Sequence, residues 1–171
     1  FRDNFRAAPF FDYRSEKETL LRNPFQVFVK SGPPIHAVMM RRSAIGADRF
    51  PEDLVAGEDW YFWVTLAFKG CRFAFRDDIH VSYRRHAGAA TAFDRHLFAG
   101  AAARCYRKLE ESGMLRSRHD RFVIAARSAF NLLRIRDARA ITQALGLLKY
   151  PVFTSRYLTR YIYQQLRASM R

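Results

Sequence analysis

Two adjacent carboxylates, Glu58 and Asp59, stand at the head of an apolar run, and Tyr83-Arg84-Arg85-His86 follows one helix and one hairpin later. A carboxylate can take a proton from an incoming hydroxyl, and a guanidinium–imidazole cluster can neutralise a departing phosphate. Together these groups suit a transfer reaction with an anionic leaving group. Arginine does the second task well because it binds phosphate through two parallel hydrogen bonds. Strand alternation sends Arg84 and Arg85 to opposite faces and puts His86 on the face of Arg84. Trp60, Trp63 and Phe68 read first as core, with stacking of a sugar ring on the Trp60 indole face the minority reading. Each residue also has a plain structural reading: acidic first turns are common in helices, and His86 suits a surface turn before Gly88.

The element that must carry the carboxylates is predicted as a helix over Glu58 to Lys69. Its acidic first turn complements the helix dipole, its apolar residues recur at spacings of three and four, and Gly70 is a natural left-handed stop. Around it, Ile35 to Met40, Cys71 to Phe75 and Ile79 to Tyr83 read as short strands. Ser15 to Leu21 reads as a short helix with Ser15 as cap and Glu18 in the capping-box position. Asn23-Pro24 and Ser31-Gly32-Pro33-Pro34 read as turns, and Ile45 to Gly57 as an irregular loop. His36 and His80 lie on the apolar strands and read as structural. After Gly88 the pattern changes: Phe93 to Leu109, Asp120 to Leu133, Ala138 to Leu148 and Thr154 to Leu166 all read as helices. Phe122, Ala126, Phe130 and Leu133 trace one face of the second. The expected fold class is therefore α/β, with a sheet-and-helix unit over residues 1–92 and a mostly α-helical basic region over residues 93–171.

Charge divides the chain the same way. Of 171 residues, 30 are Lys or Arg and 16 Asp or Glu, a net of +14. Residues 1–96 carry 15 basic and 12 acidic side chains, whereas residues 97–171 carry 15 and 4. The second part therefore faces something anionic, for which nucleic acid and the cytoplasmic leaflet of a membrane are the usual partners. Tyr157, Tyr161 and Tyr163, interleaved with Arg156, Arg160 and Arg167, suit a membrane surface, and no nucleic-acid-binding fingerprint is present. No apolar run reaches the ~18 residues needed to span a bilayer. Cys71 and Cys105 form no Cys-x-x-Cys pair, which excludes a zinc ribbon or dithiol motif and fits a reducing compartment.

Taken in order, Ile35 to Arg42, Phe50-Pro51-Glu52-Asp53-Leu54, Glu58-Asp59-Trp60, Gly70-Cys71-Arg72-Phe73 and Tyr83-Arg84-Arg85-His86 resemble the C-terminal half of family 2 glycosyltransferases of the GT-A fold. The resemblance covers roughly residues 31–90. It implies an inverting nucleotide-sugar-dependent transferase acting on a glycan or lipid-linked hydroxyl in surface polysaccharide synthesis. It makes Asp59 the general base, with Glu58 beside it positioning the loop or acceptor. Arg84, Arg85 and Trp60 would contact substrate, and His86 would approach a divalent cation, Mg²⁺ or Mn²⁺. Two departures stand out. Pro51 replaces the aspartate of the family's Phe-Asp-Glu loop, and no Asp-x-Asp occurs, Asp77-Asp78 being misplaced for it. The resemblance therefore implies an acceptor-side portion whose nucleotide-binding half precedes Phe1, inactive alone, cytoplasmic and peripheral on the inner membrane face. The rival expectation is a non-enzymatic basic helical adaptor for nucleic acid or an acidic partner.

Overall fold

The computed structural model describes residues 14–76, 78, 81 and 95–155. Among them every regular element is a helix: α1 (Lys17–Arg22), α2 (Pro24–Lys30), α3 (Arg42–Ile45), α4 (Glu58–Phe68), α5 (Arg95–Glu111), α6 (Arg118–Arg134) and α7 (Arg139–Gly146), with 3₁₀ turns at Arg14–Glu16, Ile35–Ala37 and Leu147–Lys149. The expected α/β class with a GT-A sheet is thereby corrected, since no strand forms among the described residues.

The reason is visible at the two expected strands that lie within the described residues. Over residues 35–40 the chain first closes a 3₁₀ turn, with Ala37 N–H donating to Pro34 O at 2.9 Å and Val38 N–H to Ile35 O at 3.2 Å. His36 is exposed on that turn rather than set in a strand. Val38 and Arg41 are extended, but α3 begins at once, and no strand forms on this stretch among the described residues. Residues 71–76 do alternate in exposure as a strand would: Cys71, Phe73 and Phe75 are half-buried, while Arg72, Ala74 and Arg76 are exposed. Period two gives the faces of an extended segment; a ladder also needs a neighbour at about 4.8 Å, which no local pattern supplies. The expected strand Ile79 to Tyr83 lies, except for Val81, outside the described residues.

The chain divides into two compact units, Phe1–Pro51 with Asp59–His86, and Glu52–Glu58 with Ala87–Arg171. In the first, α4 is the centre. Phe62, Trp63, Val64, Leu66 and Ala67 are buried, as are Leu20 of α1 and Val27, Phe28 and Val29 of α2. Buried indoles need hydrogen-bond partners. Trp60 Nε1–H donates to Phe28 O, one of the orphan carbonyls in the last turn of α2, and Trp63 Nε1–H donates to Pro33 O at 2.9 Å. Gly32 lies against both rings: a Cβ there would stand 2.8 Å from Trp60 Cδ1 and 3.1 Å from Trp63 Cδ1. Phe50 packs on Phe62 in a tilted pair with ring centroids 4.4 Å apart, and Phe73 meets Phe28 edge-on at 4.7 Å.

Helix ends in this unit follow local chemistry. Gly70, at φ 85°, closes α4, with Gly70 N–H donating to Ala67 O and Cys71 N–H to Leu66 O, the paired bonds of a left-handed helix stop. Asn23-Pro24, read from sequence as a turn, starts α2: Asn23 Oδ1 accepts from Gln26 N–H at 3.2 Å and Pro24 takes the first helical position. The Ser15–Glu18 capping box does not form, because a 3₁₀ turn precedes α1 and Glu16 becomes its uncapped N-cap.

In the second unit α5 packs on α6 and α6 on α7. Leu109 and Ile124 are fully buried at the α5 and α6 contributions to this core. Tyr106 Oη accepts from Arg127 Nε and Asn131 Nδ2, each at 3.3 Å, which ties α5 to α6 with a satisfied buried hydroxyl. Ser117 caps α6 in a capping box with Asp120. The expected face Phe122, Ala126, Phe130, Leu133 is half right. Phe122 and Ala126 are buried, but Phe130 and Leu133 are 41% and 54% exposed, and the inward stripe runs instead through Ile124, Ser128, Ala129 and Leu132. Helical period defines faces; the direction from which neighbours dock decides which is covered.

Candidate functional site

Asp59 is the second residue of α4, half-buried, and its Oδ1 accepts from the N–H of Trp60 at 2.6 Å. The bond uses one of the free N–H groups of a helix start and holds the carboxylate in the first turn, where the dipole favours its charge. The helix behind it is immobilised on its buried side by the wholly buried Trp63 and by both indole hydrogen bonds. Asp59 is thus a carboxylate on a rigid support with part of its surface open.

Trp60 is less free than the stacking role requires. Its nitrogen is committed to Phe28 O and its ring edge lies against Gly32, so only the remaining half-buried surface could meet a sugar. Glu58, half-buried, is the first residue of α4. The chain leading to Glu58 is clamped within the second unit in a way the sequence did not signal. Lys108 Nζ on α5 bonds both oxygens of Asp53, at 2.8 and 2.7 Å, and Cys105 Sγ–H donates to Gly57 O at 3.4 Å. The Lys108 ammonium holds the Asp53 carboxyl below its ordinary range. Gly57 needs its glycine twice over: its φ is 81°, and a Cβ would meet Cys105 Sγ at 3.3 Å. The 48- and 55-residue separations of these contacts are why local patterns missed them.

Arg84, Arg85 and His86 lie outside the described residues, so the expected convergence of Asp59 with them is neither met nor broken. No cluster of three or more His, Cys, Asp or Glu suited to a metal occurs among the described residues. In the second unit a recess of about 40 Å³ is lined by Arg107, Glu110, Ser128, Leu132, Arg139 and Gln143. That volume suits a water or two, not a nucleotide. Desolvation at the recess pushes the Glu110 carboxyl above its ordinary value, with Arg107 opposing.

No family model matches the chain, and comparison with curated proteins and with solved structures finds no match either. Among the described residues, no helix is long and apolar enough to cross a membrane.

Proposed function

We propose that residues 31–90 act as the acceptor-side element of an inverting nucleotide-sugar-dependent glycosyltransferase, with Asp59 as the base. One observation supports it above the rest: a partly open carboxylate, held by the Trp60 N–H, on a helix whose other side is locked by two indole hydrogen bonds. A catalytic base needs that combination of access and fixed position. The order of motifs around it supplies the reaction class.

In this reading Asp59 takes the proton of the acceptor hydroxyl as its oxygen attacks the anomeric carbon. The bond to the nucleoside diphosphate breaks on the opposite side, and the diphosphate leaves with the bonding electron pair. A single displacement inverts the anomeric centre. The divalent cation that the resemblance implies finds no fit among the described residues, because hard cations need several oxygen ligands and the resemblance offers only the imidazole of His86. The proposed chemistry is therefore confined to Asp59 and the acceptor.

The test uses protein made from the complete open reading frame, assayed with a panel of nucleotide sugars and hydroxyl acceptors. D59N is expected to lower turnover by about 10²–10⁴-fold, the worth of a general base, with donor affinity unchanged. E58Q is expected to lose less. Wild-type turnover in D59N, or no sugar transfer from any donor, would overturn the assignment. Sugar transfer by the 171 residues alone would overturn the acceptor-side restriction.

A further inference from the structure

Four large apolar side chains near the end of the second unit face solvent at helical spacing. Ile141, Leu145, Leu148 and Val152 are 66%, 61%, 68% and 58% exposed. Separations of four and three residues put Ile141, Leu145 and Leu148 along one side of α7 and the 3₁₀ turn, and Val152 lies just beyond the non-helical Tyr150, in residues 151–155. The opposite side is occupied. Ala140 is buried, and α7 packs on α6. Phe122 of α6 meets Tyr150 and Phe153 with ring centroids 5.9 and 5.7 Å away. Arg118 donates to Lys149 O at 3.3 Å, and Thr154 Oγ1 to Leu147 O at 2.8 Å. The anchored inner side leaves the stripe facing outward.

The charge around this stripe selects its occupant. Residues 121–155 carry six Lys and Arg and a single acid, Asp137. That acid is matched within the chain, since both its oxygens bond Arg139. Arg136 and Lys149 are exposed at the two ends of the α7 segment. A second copy of this chain would bring the same positive field against itself. An anionic bilayer accepts both features: apolar side chains enter the headgroup–acyl boundary while cations meet lipid phosphates.

We propose that Ile141, Leu145, Leu148 and Val152 seat this unit in the plane of an anionic lipid bilayer, with Arg136 and Lys149 on the headgroups. The proposal stands apart from the transferase reading and survives its failure. It is tested by co-sedimentation of the full chain with vesicles of phosphatidylcholine alone and with about a third phosphatidylglycerol. Binding is expected to be at least about tenfold tighter on the anionic vesicles and to fall steeply with salt. The double substitution L145D/L148D is expected to cut binding about tenfold or more with the far-UV circular dichroism unchanged, because both side chains are exposed. K149Q, which leaves the apolar stripe intact, is expected to weaken binding several-fold. Equal binding to neutral vesicles, or undiminished binding by L145D/L148D, would overturn it. So would a wild-type dimer that L145D/L148D converts to monomer, or binding to duplex DNA that outcompetes the vesicles.

Discussion

Replacing Gly32 with alanine tests the central packing of the first unit. The added methyl would stand 2.8 Å from Trp60 Cδ1 and 3.1 Å from Trp63 Cδ1. Carbon atoms prefer about 3.5–4.0 Å, so both rings must withdraw by about half an ångström or more. Neither is free to do so, since Trp60 is held to Phe28 O and Trp63 to Pro33 O. Overpacking of this kind costs about 1–3 kcal/mol, and stretching one indole bond adds about 0.5–1.5 kcal/mol. The lower chain entropy of unfolded alanine returns about 0.4–1 kcal/mol. The expected net destabilisation is about 0.5–4 kcal/mol. Trp60 and Trp63 are the only tryptophans in the chain, so urea unfolding followed by indole emission reports on this cluster. The same change at Gly100, within α5 with open space around it, is expected to stabilise by about 0.5–1 kcal/mol, which isolates the steric effect. A Gly32→Ala protein as stable as wild type, with unshifted emission, would refute the clamp on α4.

Ser117→Ala removes the cap of α6 and is expected to cost about 1 kcal/mol in chemical denaturation, because Asp120 N–H loses its acceptor. Arg136→Gly is expected to stabilise by up to about 1 kcal/mol in the same assay, since Arg136 holds φ 55° where glycine is unstrained. Asp137→Asn has a defined pH signature. Hydrogen bonds from Arg139 hold the Asp137 carboxyl down to about 2 from its ordinary 3.8, so its ionised form favours the folded state. The stability gap between wild type and variant should be full above pH 3.8 and close as pH falls toward about 2, read from urea midpoints across that range.

The candidate site was legible in part for a physical reason. Glu58 and Asp59 at a helix start, and Gly70 at its end, are local signals, because capping and left-handed backbone are decided within a few residues. The support beneath the carboxylate was not legible. Gly32 read only as part of a turn, yet it is the surface on which two indoles close, about thirty residues away in sequence. The Asp53–Lys108 clamp likewise joins two ordinary charged residues that no motif links.

By itself the sequence determined the helices: α4 to α7 follow from apolar period, the acidic start of α4, the Ser117 start of α6, and the breaks at Gly70, Gly113 and residues 135–138. It also determined the strong positive charge beyond residue 96. Only tertiary structure decided whether residues 35–40 and 71–75 would pair as strands, which face of α6 would be covered, and that Ile141, Leu145, Leu148 and Val152 would remain in solvent. Local conformational preference acts over a turn or two, whereas hydrogen-bond partners for a strand and cover for an apolar face come from elsewhere in the chain, and period carries no information about which neighbour arrives.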